Sequence, residues 1–161
     1  MKKQKLLSTL LALVMAVSMC SAFAVSSSAL SVGAETSVSD VAGLPKLDQK
    51  KLDTSKMKKN DPRKPFVGVW RLVLGAKVGG AEQKVATDLV TVAWYNDGTA
   101  ETYLLGKLQN SYKYKADGKV YTAIEPDETD NSTYAFSKDG NMLYFYYFDT
   151  DNIVFGYERI A

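Results

Sequence analysis

The feature that most constrains the fold is a series of tight-turn sequences between runs of alternating apolar and polar residues, from Phe66 to Ala161. An Asp-Gly pair between two alternating runs predicts a hairpin, because both turn residues must accept positive φ. The turns are Asn96-Asp97-Gly98, Asp117-Gly118, Asp139-Gly140 and Thr150-Asp151-Asn152. They separate eight predicted strands, at 66–75, 86–95, 99–106, 110–116, 119–125, 132–138, 141–149 and 153–160.

Sequential hairpins predict an all-β, antiparallel, up-and-down meander. Eight such strands carry no evident protection at their edges, which favours closure into a barrel. A two-residue turn at Asp139-Gly140 would pair Phe136 with Leu143 and Tyr134 with Phe145. The same logic pairs Tyr114 with Tyr121, and a three-residue turn at 150–152 pairs Phe145 with Tyr157 and Leu143 with Arg159.

These registers place the aromatic side of the sheet inside the barrel, since the alternate residues on the sixth strand are small or polar. The same register turns Arg159 inward, which is costly unless a partner receives its charge. The aromatic side chains predicted to line a ligand site in the barrel mouth are Tyr112, Tyr114, Tyr121, Tyr134, Phe145, Tyr147 and Tyr157.

The first and last strands carry a family resemblance. Gly68-Val69-Trp70 opens the first of eight strands and Arg159 lies near the end of the last, which resembles the calycin pattern of the lipocalins and is most similar to small bacterial lipocalin-like domains. The resemblance implies that Trp70 packs at the closed end of the barrel with Arg159 across its ring, a cation–π contact. It also implies a barrel whose mouth holds a small apolar or aromatic ligand. The chain departs from true lipocalins in having no long carboxy-terminal helix and fewer residues.

Composition excludes several chemistries. The chain has no histidine and one cysteine, Cys20, so no Ser–His or Cys–His nucleophile pair and no His/Cys zinc site can form. The acidic residues at 125, 127, 128 and 130 match no calcium-loop spacing and are expected to be a solvated loop. We therefore expect no catalysis, no cofactor and no bound metal.

The amino terminus predicts export. Lys2, Lys3 and Lys5 precede an apolar run, and Val32-Gly33-Ala34 offers a cleavage site, so residues 1–34 are expected to be a signal peptide. Two alternatives stay open, which are retention as a membrane anchor and lipidation at Cys20. The protein is accordingly expected to be secreted or tethered to the outer face of the cell membrane.

Residues 35–65 are predicted to be a flexible, disordered basic linker that leads into the domain at 66–161. Within it, residues 46–64 carry eight Lys or Arg and three Asp, a net charge of +5, which favours contact with an anionic cell envelope. The domain carries nine basic and thirteen acidic residues, a net charge of −4, so no nucleic-acid partner is expected. We expect a monomer.

Two functions remain. An eight-stranded barrel is either filled by its own side chains or holds one small ligand. The chain is therefore either a lipocalin-like binder or a filled barrel that serves as a surface module, contacting protein or glycan through outward Tyr144 and Tyr146.

Overall fold

A computed structural model describes residues 47–78, 80–85, 89–147 and 152–161. A short helix, Gln49–Leu52, precedes the sheet. The strands are β1 Gly68–Lys77, β2 Gln83–Lys84, β3 Val90–Trp94, β4 Thr99–Leu104, β5 Lys107–Ala116, β6 Val120–Ile124, β7 Thr129–Phe136, β8 Met142–Tyr147 and β9 Ile153–Arg159. The predicted signal peptide at 1–34 and the first part of the linker lie outside the described residues.

The sheet closes into an antiparallel eight-stranded barrel, as predicted. Each of β3 to β8 pairs with the next strand in the chain, and β1 pairs with both β3 and β9. The two-residue strand β2 pairs with Leu74 and Gly75 of β1, beyond the residues that β3 pairs with. It therefore covers the part of the β1 edge that β3 leaves free.

One predicted register is confirmed and two are wrong by two residues. Phe136 lies opposite Leu143 and Tyr134 opposite Phe145, as the Asp139-Gly140 turn predicts. At the β5–β6 hairpin, however, Tyr114 lies opposite Ala123, because Asp117 pairs with Val120 and its side chain accepts hydrogen bonds from the backbone N–H groups of residues 119 and 120. The central turn residues are thus 118 and 119.

The β8–β9 register is also shifted by two. Phe145 lies opposite Phe155, and Leu143 opposite Tyr157. The two hairpins keep their predicted inward face, because a shift of two residues preserves the alternation of side chains along a strand. Only the partners across the strands change.

The barrel interior is a close-packed cluster of aromatic and aliphatic side chains. The largest of those that are fully buried are Trp70, Trp94, Phe66, Phe145 and Phe155. Phe66 precedes β1 instead of belonging to it, and its ring enters the barrel. Its centroid lies 4.8–6.2 Å from those of six aromatic rings, at residues 94, 114, 121, 134, 136 and 145. Phe66 therefore fills one end of the barrel.

Residues 47–65 differ from the expected flexible linker, because they pack on the outside of the barrel. Leu47 is 4% exposed and clusters with Val69, Ala93 and Tyr95 on the outer face of the sheet. Asn96 holds the short helix in place, since its side-chain amide donates to the carbonyl oxygens of Lys50 and Asp53 at 2.9 and 2.7 Å. The burial of Leu47 and the two hydrogen bonds from Asn96 thus hold the short helix against the barrel, in a segment whose charged composition predicts a solvated spacer.

Candidate functional site

The barrel has a closed end, where the chain enters at Phe66 and leaves at Ala161. Gly68 is required there, because its φ is +145° and a Cβ at this position would lie 2.5 Å from the carbonyl oxygen of Ala161. The first and last residues of the barrel can approach each other only over a glycine. This explains in physical terms the Gly of the Gly68-Val69-Trp70 sequence.

Trp70 and Arg159 meet at the closed end, where the resemblance places them. Arg159 Cζ lies 4.3 Å from the Trp70 ring centroid, and the two residues are cross-strand partners of β1 and β9. The guanidinium also donates to the carbonyl oxygens of Val67 and Pro65. Burial lowers the pKa of Arg159 from its ordinary value. The inward arginine is thus received by a ring face and two carbonyls.

Five of the seven predicted ligand-site aromatics line a cavity and two do not. Tyr114 and Tyr134 are absent from its lining and pack against Phe66, with ring centroids 6.1 and 4.8 Å from it. The other five line a cavity of about 70 Å³ toward the opposite, open end, and these are Tyr112, Tyr121, Phe145, Tyr147 and Tyr157. Tyr121 and Phe145 contact Phe66 as well as the cavity, with ring centroids 5.5 and 6.2 Å from that of Phe66. The structure therefore brings together five of the seven and assigns two to packing.

Six further residues line the same cavity and were missed by the sequence reasoning: Val92, Trp94, Thr102, Ala123, Glu125 and Asp130. Trp94 forms part of its floor, and its Nε1–H donates to the Tyr121 hydroxyl at 2.8 Å. The Tyr121 hydroxyl donates in turn to that of Tyr112 at 3.2 Å. A sequence signal was available for Val92 and Trp94, because alternation places Val90, Val92 and Trp94 on the same face of their strand.

Two carboxylates stand at this cavity, contrary to the expectation of a wholly solvated acidic loop. Burial raises the pKa of Glu125, with Asp130 and Glu128 adding repulsion, while a hydrogen bond from Asn110 Nδ2 at 2.7 Å opposes the rise. Burial, and then Glu128, raise the pKa of Asp130. Of the described residues lining the cavity, these two are the only charged ones.

The cavity also has uncharged polar groups. Burial raises the pKa of Tyr112, Tyr121 and Tyr157 above the ordinary phenol value, so these side chains stay neutral at physiological pH. Ser132 faces inward beside them, because it is the cross-strand partner of Tyr121. Its hydroxyl is buried and makes no hydrogen bond of normal geometry with the described residues, although it lies near enough to the Tyr147 hydroxyl to lower the pKa of that phenol.

The size of the cavity limits what it can hold. Pockets for drug-sized ligands usually occupy roughly 300–1,000 Å³, and this one is about 70 Å³. Most of the interior is filled by the rings that surround Phe66. The barrel as described therefore accommodates a ligand of a few non-hydrogen atoms, and a lipid-sized ligand does not fit.

A larger concave surface lies outside the barrel. It measures about 820 Å³ and runs between residues 58–63 and the outer faces of β5 and β6. Its basic side chains, Lys58, Arg63, Lys113 and Lys115, are nearly balanced by Asp61, Asp97 and Asp117. Asp61 is paired with Arg63 and Asp97 with Lys51, at 2.8 and 2.9 Å. The other charged residues of the lining are Lys58, Lys113, Lys115 and Asp117, so the groove is weakly basic.

No family model and no curated protein matches the sequence. Among solved structures, the chain is similar to a lipocalin-like protein from Bacteroides uniformis, with 16% sequence identity and a TM-score of 0.48, over 60% of this chain and 99% of that one. The fold assignment rests on the strand pairing itself.

The described residues form neither a metal-ligand cluster nor a membrane-spanning helix. Within 47–78, 80–85, 89–147 and 152–161, no three His, Cys, Asp or Glu residues are placed to hold a metal ion together. Across the same residues, no helix has the length and apolar character needed to cross a bilayer.

Proposed function

We propose that this chain is an exported, non-catalytic, lipocalin-like barrel that binds a small ligand at its open end. The observation that carries the proposal is the convergence of five predicted aromatic side chains on one cavity, together with two carboxylates and a buried hydroxyl. Small-molecule sites combine an apolar, aromatic lining with a few convergent polar groups. A barrel that served only as a scaffold would gain no stability from those polar groups.

Export is part of the proposal and rests on the sequence of the amino terminus. Lys2, Lys3 and Lys5, the apolar run and the small residues before Glu35 are typical of a cleaved signal. Amino-terminal sequencing of secreted protein should give a start at or near Glu35. A lipidated start at Cys20, or an uncleaved membrane-bound chain, would contradict cleavage near Ala34 and leave the barrel proposal standing.

Native mass spectrometry of the secreted protein tests ligand binding. The expected result is a second mass, above that of the polypeptide, that disappears on denaturation and corresponds to a small molecule. A single mass from freshly purified protein, unchanged by small-molecule mixtures, would favour the filled barrel.

The alternative is a surface module, and the tyrosines first assigned to it give it little support. Tyr144 and Tyr146 are half-buried, and Gly156 lies beneath Tyr144, so that a Cβ there would lie 3.3 Å from the ring. The outer groove is the feature that favours this function, because its volume lies within the usual range for ligand sites.

A further inference from the structure

We propose that the ligand of the open-end cavity is a small organic cation, whose ammonium group lies between Glu125 and Asp130 and whose apolar part lies against the aromatic rings. This inference rests on the proposed function, since it names the chemical class of the ligand for the same site. Four features of the cavity support it, namely its two carboxylates, its aromatic rings, the neighbouring Ser132 hydroxyl and its volume.

The charge balance at the cavity calls for a cation. Glu125 and Asp130 are half-buried, and they line the same cavity. In the described part of the chain, no lysine or arginine forms an ion pair with either of them. Burial raises the pKa of both carboxyl groups, and the nearby Glu128 adds repulsion at each. A bound cation would remove this cost, and a neutral or anionic ligand would not.

The floor of the cavity suits the other part of such a ligand. Trp94, Tyr121, Tyr147 and Tyr157 supply aromatic rings around it. Aromatic faces attract a cation, and this attraction strengthens when the site is desolvated. The ammonium can therefore sit near the carboxylates while its carbon atoms contact rings that also favour positive charge.

Ser132 supplies an independent indication that a polar group of the ligand belongs here. It is 5% exposed, and its Oγ makes no hydrogen bond of normal geometry with the described residues, although it lies close enough to the Tyr147 hydroxyl to lower the pKa of that phenol. The registers of β7 with β6 and β8 place it beside Tyr121 and Tyr147, both of which line the cavity. A primary ammonium has three N–H donors, which matches the Glu125 and Asp130 carboxylates and the Ser132 hydroxyl as acceptors.

The volume restricts the ligand to a small amine or to the head of a longer one. An apolar cavity of roughly 150 Å³ holds a benzene molecule, so a cavity of about 70 Å³ has room for about half as many non-hydrogen atoms, which is about three. Ethylammonium, with three non-hydrogen atoms, is a suitable probe. Ethanol has the same number of such atoms and no charge, and is its matched control.

The two tryptophans provide a position-specific readout in the full-length protein. Trp94 Nε1–H lies at the cavity, whereas Trp70 Nε1–H donates to the Phe66 carbonyl at the closed end, at 2.8 Å. In a proton–nitrogen NMR titration, ethylammonium should move the Trp94 indole resonance and leave that of Trp70 in place. Ethanol should bind about tenfold or more weakly, because it lacks the charge-assisted hydrogen bonds.

Charge-neutralising variants complete the test. The double variant Glu125→Gln/Asp130→Asn should weaken ethylammonium binding about tenfold or more, and should abolish its advantage over ethanol. Asp127→Asn, which removes a charge from the same loop outside the cavity lining, should change the affinity less than about twofold. The inference is supported if the double variant loses ethylammonium binding and Asp127→Asn keeps it.

Two other outcomes would overturn it in distinguishable ways. If ethanol moves the Trp94 resonance as strongly as ethylammonium does, or if the double variant binds the cation unchanged, the cation assignment is wrong and a small-ligand barrel stands. If neither probe moves the Trp94 resonance, the cation assignment fails, and the proposed cavity site loses its support as well.

Discussion

The contact between Arg159 and Trp70 allows the closure of the barrel to be tested energetically. Replacing Arg159 with Met keeps most of the apolar stem and removes the guanidinium, which lies 4.3 Å from the Trp70 ring centroid. The lost cation–π contact is worth about 1–2 kcal/mol at a partly desolvated site. The hydrogen bonds to the Val67 and Pro65 carbonyls add about 1–2 kcal/mol, since the second is exposed.

We therefore expect Arg159→Met to lower the free energy of unfolding by about 2–4 kcal/mol. Trp70→Leu should lower it by a similar ~2–4 kcal/mol, through lost packing in a fully buried position. In the double variant the two losses should overlap by about 1–2 kcal/mol, because residues in contact are not additive. Urea titrations followed by circular dichroism give all four free energies.

Arg71 is a matched control for this cycle. It also joins β1 to β9, through an ion pair with Glu158 at 2.7 Å, but on the partly exposed outer face of the barrel. Arg71→Met should cost less than about 1 kcal/mol. It should add to Trp70→Leu within about 0.5 kcal/mol. Strict additivity of Arg159 and Trp70, or a coupling no larger than that of Arg71, would refute the closed-end contact.

Three further predictions concern the filled end, the acidic mouth and the amino-terminal segment. Phe66→Ala should lower the free energy of unfolding by about 3–5 kcal/mol in urea titrations, because the ring is fully buried against six others. Val78→Ala, at an exposed position, should change it by less than about 0.5 kcal/mol. Equal losses would contradict the filling of the barrel end by Phe66. Glu125→Gln should stabilise the protein near neutral pH and lose this advantage toward about pH 4, because a raised folded-state pKa costs stability as the carboxyl ionises with rising pH; melting curves whose difference does not change with pH would argue against this burial. Leu47→Ala should cost about 2–3 kcal/mol, as for a packed leucine, and an effect below about 0.5 kcal/mol would restore the flexible linker.

The number of barrel strands was predictable because turns and alternation are local features of the sequence, and closure was predictable because eight sequential strands without edge protection favour it. Asp139-Gly140 punctuates an alternating run, and turn chemistry of this kind fixes both the hairpin and its register. The Asp117-Gly118 pair predicted a turn centred one residue too early in the chain. Asp117 precedes the two central residues, and its side chain accepts hydrogen bonds from the backbone of the turn. The inward face was still correct, since alternation survives a shift of two residues.

The filled end and the cavity depend on packing between distant residues, which no local pattern encodes. Phe66 continues the apolar run of β1 in sequence, yet its ring turns into the barrel and takes the space beside Tyr114 and Tyr134. Glu125 and Asp130 share a charged loop with Asp127, and only strand pairing separates the two that face the cavity from the one that does not. The ligand site is therefore smaller and more polar than the aromatic sequence pattern predicts.

A cavity-filling variant tests the central claim, that a small ligand binds inside the open end of the barrel. Ala123 lines the cavity, so Ala123→Phe should fill it, while Ala135→Phe adds the same ring at an exposed position of β7. A library of small amines and alcohols is first screened against the unsubstituted protein by NMR, with the Trp94 indole resonance as the reporter. The same library is then screened against each of the two variants. The account predicts hits that persist with Ala135→Phe and disappear with Ala123→Phe. Hits that survive Ala123→Phe, or that shift resonances of Thr122 and Ile124 along the outer groove instead of Trp94, would contradict it.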